Sequence, residues 1–140
     1  MSDSPASPTP AAPAATTEED NTPAIISYLF GIGLIIAAIL HSSKKTALGA
    51  YHLRQALGIL LIAIAGTVVL TMIAFVAAFM GGIPVIGWGL IHGVSMIAWA
   101  FRLALLALTI LGILAAVNRE QKPLPVIGSL CQKYFASVFA

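Results

Sequence analysis

Charge is what this chain has least of. Asp, Glu, Lys and Arg together make up 9% of its 140 residues, against roughly a quarter in an ordinary soluble domain, so a fully water-facing surface cannot be assembled from it. Between Asp20 and Glu120 there is no acidic residue at all. That excludes the paired carboxylates on which proton relays and hydrolytic sites depend, and no Ser or Cys stands at a recognisable spacing from a base. The lone cysteine, Cys131, excludes an intrachain disulfide and a thiol-based redox or zinc motif, and it reads as a small buried or interfacial residue. The few cations are scattered and the net charge is only +2, which sets nucleic-acid binding aside. Residues 1–22 lack Lys, Arg and aromatic side chains, so neither a secretory signal nor a transit peptide fits. Their Pro, Ser, Thr, Ala and four acids predict a mobile tail.

Apolar sequence is what the chain has in abundance, at 59% of residues. It falls into three runs, and the pattern predicts an all-α protein with three transmembrane helices at about 23–40, 56–80 and 88–117. The first opens on Thr22 as cap and Pro23 in the first turn. At about 25 Å it falls short of a hydrocarbon core of about 30 Å, which puts Ser27 and Tyr28 near an interface. The linker Lys44 to Gln55 spaces Leu48, Tyr51 and Gln55 for a short helix along the membrane surface before the chain turns inward at Ala56. Gly81-Gly82-Ile83-Pro84 is a strong turn signal joining the second and third spans as an antiparallel hairpin. The third run, about 45 Å of helix, is longer than the core requires. After Pro123 and Pro125, residues 126–139 alternate in the manner of an amphipathic interfacial helix, with Val126, Leu130, Cys131 and Tyr134 on its apolar side.

Lys44, Lys45 and Arg54 in the linker, and Arg119, Lys122 and Lys133 after the third run, fall on one side of a three-span protein. The positive-inside rule places that side in the cytoplasm and the N-terminus outside. Among the polar residues Arg102 stands out, because no carboxylate in any span pairs with it. Measured from Val117 as the inner boundary it lies within roughly 8 Å of the outer one, so two readings stand: snorkelling past Trp99 to the headgroups, or a specific contact with an anion or partner. His41, His52 and His92 do not converge in such a topology, and neither a metal nor a cofactor is expected. Ala63, Thr67 and Thr71 recur every four residues as a small-residue seam, and Gly89 with Gly93 forms a GxxxG element; both are candidate helix-packing faces.

Tyr51-His52-Leu53-Arg54-Gln55-Ala56-Leu57 resembles the aromatic-His-Ala-Arg-Gln-Ala signature of the Tic-twenty-like family, small membrane proteins related to a component of the chloroplast import translocon. Lys122-Pro123-Leu124-Pro125-Val126-Ile127-Gly128 resembles that family's closing motif. Leu53 stands where the family has alanine, and three spans replace the plastid protein's four. The resemblance implies a bacterial relative in a plasma membrane, with a link to protein translocation. Physically, His52, Arg54 and Gln55 at the mouth of the second span suit hydrogen bonds to phosphates or to the ends of neighbouring helices, or contacts to a partner. The chain therefore reads first as a non-enzymatic small subunit or scaffold of a membrane assembly, in contact with lipids and either a membrane-protein partner or further copies of itself. The rivals are an oligomeric channel or transporter with Arg102 near the path, and a redox or metal carrier.

Overall fold

The computed structural model describes residues 20–80 and 84–139. The tail up to Glu19 and the turn at Gly81-Gly82-Ile83 lie outside them. The described residues form five helices and no strand: α1 Thr22–Ile26, α2 Phe30–Ser43, α3 Ala47–Phe79, α4 Pro84–Val117 and α5 Gly128–Tyr134.

α3 and α4 carry the architecture, with 33 and 34 residues and thus about 50 Å of helix each. They pack antiparallel, and Gly66 supplies the close approach: a Cβ there would run into the Phe101 ring. Both are long and apolar enough to cross a membrane, and they are the two helices among the described residues that are.

The linker differs from expectation. There is no separate surface helix and no turn at Ala56; Ala47–Phe79 is one continuous helix. Its start is fixed by Thr46, whose hydroxyl accepts a hydrogen bond from the Gly49 amide at 2.9 Å, satisfying a donor that the first turn leaves free. Leu48, His52, Gln55, Ala56 and Ile59 then share one buried face, so the change in composition at Ala56 marks a change in what the helix faces and not a bend.

The first apolar run also differs. It is interrupted at Ser27-Tyr28-Leu29, where Leu29 leaves helical geometry (φ −81°, ψ 72°), and it continues as the 14-residue α2. The cap expected at Thr22 is supplied by Asp20, whose carboxylate accepts from the Thr22 amide at 3.0 Å. Asp20 sits within electrostatic reach of both Lys44 and Arg119, at the end of the bundle where α2 also finishes. Between these ends Gly31 reaches Leu60 of α3, and Tyr28 reaches Gly112 of α4. The run therefore climbs the bundle partway and folds back as a helical hairpin. At about 21 Å for α2, it covers only the near half of α3 and α4. In place of a third crossing helix there is a wedge, with both of its described ends at the linker end.

α4 stops in a Schellman turn. The Glu120 amide donates to the Ala115 carbonyl and the Arg119 amide to that of Ala116, with Arg119 in the left-handed region at φ 56°. Beyond it the expected fourteen-residue amphipathic helix is reduced to the seven residues of α5. It docks on α3 through Cys131, with Phe135 just beyond it, both from the expected apolar side, while Leu130 and Tyr134 of that side are exposed. A Cβ at Gly58 would collide with the Cys131 sulfur, which shows how closely the two helices approach. Val126 precedes α5 at φ 68° and is exposed, an expensive backbone for a β-branched residue. Val126→Gly is expected to raise stability by about 1 kcal/mol, read as a higher midpoint of unfolding in detergent; a lowered midpoint would show that the side chain is needed where it stands.

Candidate functional site

The polar residues singled out in the linker converge on the segment that follows α4. His52 and Gln55, three residues apart on α3, are both fully buried. His52 Nε2 lies 3.1 Å from the Glu120 carbonyl oxygen, and Gln55 Nε2 donates to the Lys122 carbonyl at 3.1 Å. The Schellman turn at Arg119 aims those two carbonyls at α3. On the other side of the pair stands Tyr28, at the tip of the α1–α2 wedge. Its hydroxyl is 3.1 Å from His52 Nδ1 and donates to Gln55 Oε1 at 3.0 Å. Three parts of the chain, the wedge, α3 and the post-α4 segment, are thus fastened by one buried polar cluster.

The cluster has one unresolved proton. The Glu120 carbonyl only accepts, so a neutral His52 must carry its hydrogen on Nε2. Nδ1 is then an acceptor, and it competes with Gln55 Oε1 for the single Tyr28 hydroxyl hydrogen. Adding a proton at Nδ1 would complete all four bonds at once, with Nδ1–H donating to the Tyr28 oxygen.

A second tier of bonds surrounds this core. Arg54 Nε donates to the Val138 carbonyl at 2.9 Å, and Gln132 Nε2 to the Tyr51 carbonyl at 2.9 Å. His41 Nε2 lies 3.4 Å from the Phe139 carbonyl oxygen. Thus His52, Arg54 and Gln55 hold backbone carbonyls of the chain's own C-terminal segment; His52 and Gln55, with no exposed surface, are closed to lipid and partner alike. Burial pushes the Cys131 thiol above its usual range, keeping it in the unreactive protonated form. Among the described residues no three His, Cys, Asp or Glu side chains gather as a metal site.

Arg102 belongs to a different place. Because α4 begins at Pro84, four residues before the expected start, Arg102 lies about 27 Å from one end of the helix and about 22 Å from the other. That places it midway along the helix, while its distance from Val117, on which the snorkelling reading rests, is unchanged. Its guanidinium is 5.9 Å from the Trp99 ring centroid and borders two clefts between α3 and α4. The small-residue seam fronts the same clefts, Ala63 the first and Thr67 and Thr71 the second. At Gly89 and Gly93 nothing among the described residues approaches within 4 Å of where a Cβ would stand, so none of the described helices packs on that element.

Tyr28, the carbonyls of Glu120 and Lys122, and Gly112 are the participants that sequence reasoning missed. A lone phenol inside an apolar run was the one available signal, since a buried hydroxyl needs a partner. Compared with known proteins, the chain matches no family model, no curated relative and no solved structure.

Proposed function

We propose that the chain is an integral membrane protein that serves as a small, non-enzymatic subunit or scaffold of a larger membrane assembly. One observation carries this reading. In the most apolar stretches of α3 and α4 only 6% and 11% of residues are buried, whereas the core helix of a soluble protein is mostly buried. Ile64, Met72, Phe75, Ile97 and Leu103 all stand exposed, a display of hydrocarbon that water would not tolerate. In this reading α3 and α4 cross the bilayer and α1–α2 enters from one face and returns, so two crossings replace three.

The six cations other than Arg102 lie in the linker, at Arg54, or beyond α4. The positive-inside rule assigns that end to the cytoplasm of a bacterial plasma membrane, and Asp20 goes with it. The likeness to the Tic-twenty-like family gains physical sense here. The residues of one motif, His52 and Gln55, hold the segment that leads into the other, Lys122 to Gly128. A link to protein translocation rests on that likeness alone.

The uncovered far halves of α3 and α4 are where a partner would dock. Photo-crosslinking residues installed at Phe75 and Ile97 in intact membranes are expected to capture one discrete protein. Adducts with lipid only would overturn the subunit reading. The second reading, an oligomeric channel with Arg102 on its path, is favoured by the mid-helix position of that residue. It requires a conductance in reconstituted vesicles that Arg102→Ala abolishes.

A further inference from the structure

Among the described residues no carboxylate pairs with Arg102. The sequence has no acid between Asp20 and Glu120, so a second copy would bring the same acid-free helices and leave the charge unpaired. A guanidinium midway along an apolar membrane span is costly and is met by an anion or by water. Its surroundings narrow the choice. The first cleft, about 440 Å³, lies between the wedge, α3 and α4, with walls that include Leu34, Ile59, Leu60 and Leu105. The hydroxyls that border it are already engaged. Ser27 donates to the Ala24 carbonyl at 2.7 Å and Thr109 to that of Leu105 at 2.8 Å, and Tyr28 is held by Gln55 and His52. What remains is a hydrocarbon wall with one cation at its rim.

A small hydrated anion is poorly served there, since it would trade its water for one guanidinium and apolar carbon. With a core of about 30 Å centred on α4, a phospholipid phosphate would have to sink about 15 Å to reach the guanidinium. A carboxylate carried by a single acyl chain meets the same desolvation cost, but burial of that chain against the hydrocarbon wall offsets it. Ala56 to Ala63 and Thr109 to Arg102 each span seven residues, so the cleft runs about 10 Å along the helices between Tyr28 and Arg102. The geometry points to a fatty-acid site: the acyl chain lies in this cleft above the wedge, and its carboxylate makes a bidentate pair with Arg102. The inference rests on the reading of α3 and α4 as membrane spans.

Two experiments separate that reading from the site. Alkaline carbonate extraction of native membranes is expected to leave the full chain in the pellet; release into the supernatant would overturn the spans and the site together. The purified chain in phosphatidylcholine nanodiscs is then titrated with radiolabelled decanoate. Saturable binding is expected, weakened about tenfold by Arg102→Gln and to a similar degree by Ala63→Phe, which fills the cleft and keeps the charge. Arg102→Lys should retain part of the affinity. Decanol should not compete, and phosphatidylglycerol added to the discs should leave decanoate affinity unchanged. With the chain retained in membranes, four outcomes would overturn the site alone: no saturable binding, binding indifferent to both Arg102→Gln and Ala63→Phe, equal competition by decanol, or displacement by phosphatidylglycerol.

Discussion

Replacing Tyr28 by Phe is expected to cost about 1–3 kcal/mol of stability, although it removes a single oxygen. The ring stays and the volume barely changes, so the loss is not one of packing. The missing hydroxyl leaves Gln55 Oε1 and His52 Nδ1 facing each other's surroundings with no donor between them, in a place with no exposed surface. A buried polar atom without a partner costs about 1–3 kcal/mol, and here Gln55 Oε1 loses the hydroxyl hydrogen donated to it. Unfolding of the full chain in mixed detergent, followed by far-ultraviolet circular dichroism, measures the effect. A change under about 0.5 kcal/mol would mean that water or another group replaces the hydroxyl and that the cluster is not the fastening described. Limited proteolysis distinguishes local from global loss: with the wedge loosened, cleavage near Lys44 and Lys45 should rise before α3 and α4 open.

The long helices were legible because length and composition suffice to specify them. Val117 ends α4 where the apolar run stops, and α3 ends at Phe79, within a residue of expectation. The wedge was not legible, and the reason is physical. From Pro23 to Leu40 the run offers no charge, its two glycines, Gly31 and Gly33, lie inside α2 and not at the break, and Ser27 alone is a weak turn signal. The chain reverses at Ser27–Leu29 because Tyr28 finds His52 and Gln55, residues more than twenty positions away, and tertiary contacts of this kind leave no local signature. The linker was misjudged for the opposite reason. Its periodicity was read correctly, but a helical period from Leu48 to Gln55 does not say whether the apolar side meets lipid or protein. Likewise, the three polar residues of the His52 motif were found by pattern. Their partners, the Glu120, Lys122 and Val138 carbonyls, belong to the backbone, which pattern does not distinguish.

Glycine 112 offers a sharper test of the same geometry, because the ordinary expectation has the opposite sign. In a helix interior Gly→Ala gains about 1 kcal/mol from propensity alone. Gly93 is the reference case: with nothing within 4 Å of an added Cβ, Gly93→Ala should show that gain. At Gly112 the added Cβ falls against the ring and hydroxyl of Tyr28. A free tyrosine would swing aside, but this one is pinned at its oxygen by two polar contacts and is 5% exposed. The methyl must therefore push the wedge off α4 or break the cluster, and crowding of this kind costs about 1–3 kcal/mol. Gly112→Ala is thus expected to destabilise where Gly93→Ala stabilises. A double-mutant cycle locates the cause. Tyr28→Ala vacates the space, so on that background Gly112→Ala should recover the gain seen at Gly93. If Gly112→Ala stabilises the unaltered chain, the tip of the wedge does not lie against α4, and the hairpin at Ser27–Leu29 must be abandoned for a run that continues across.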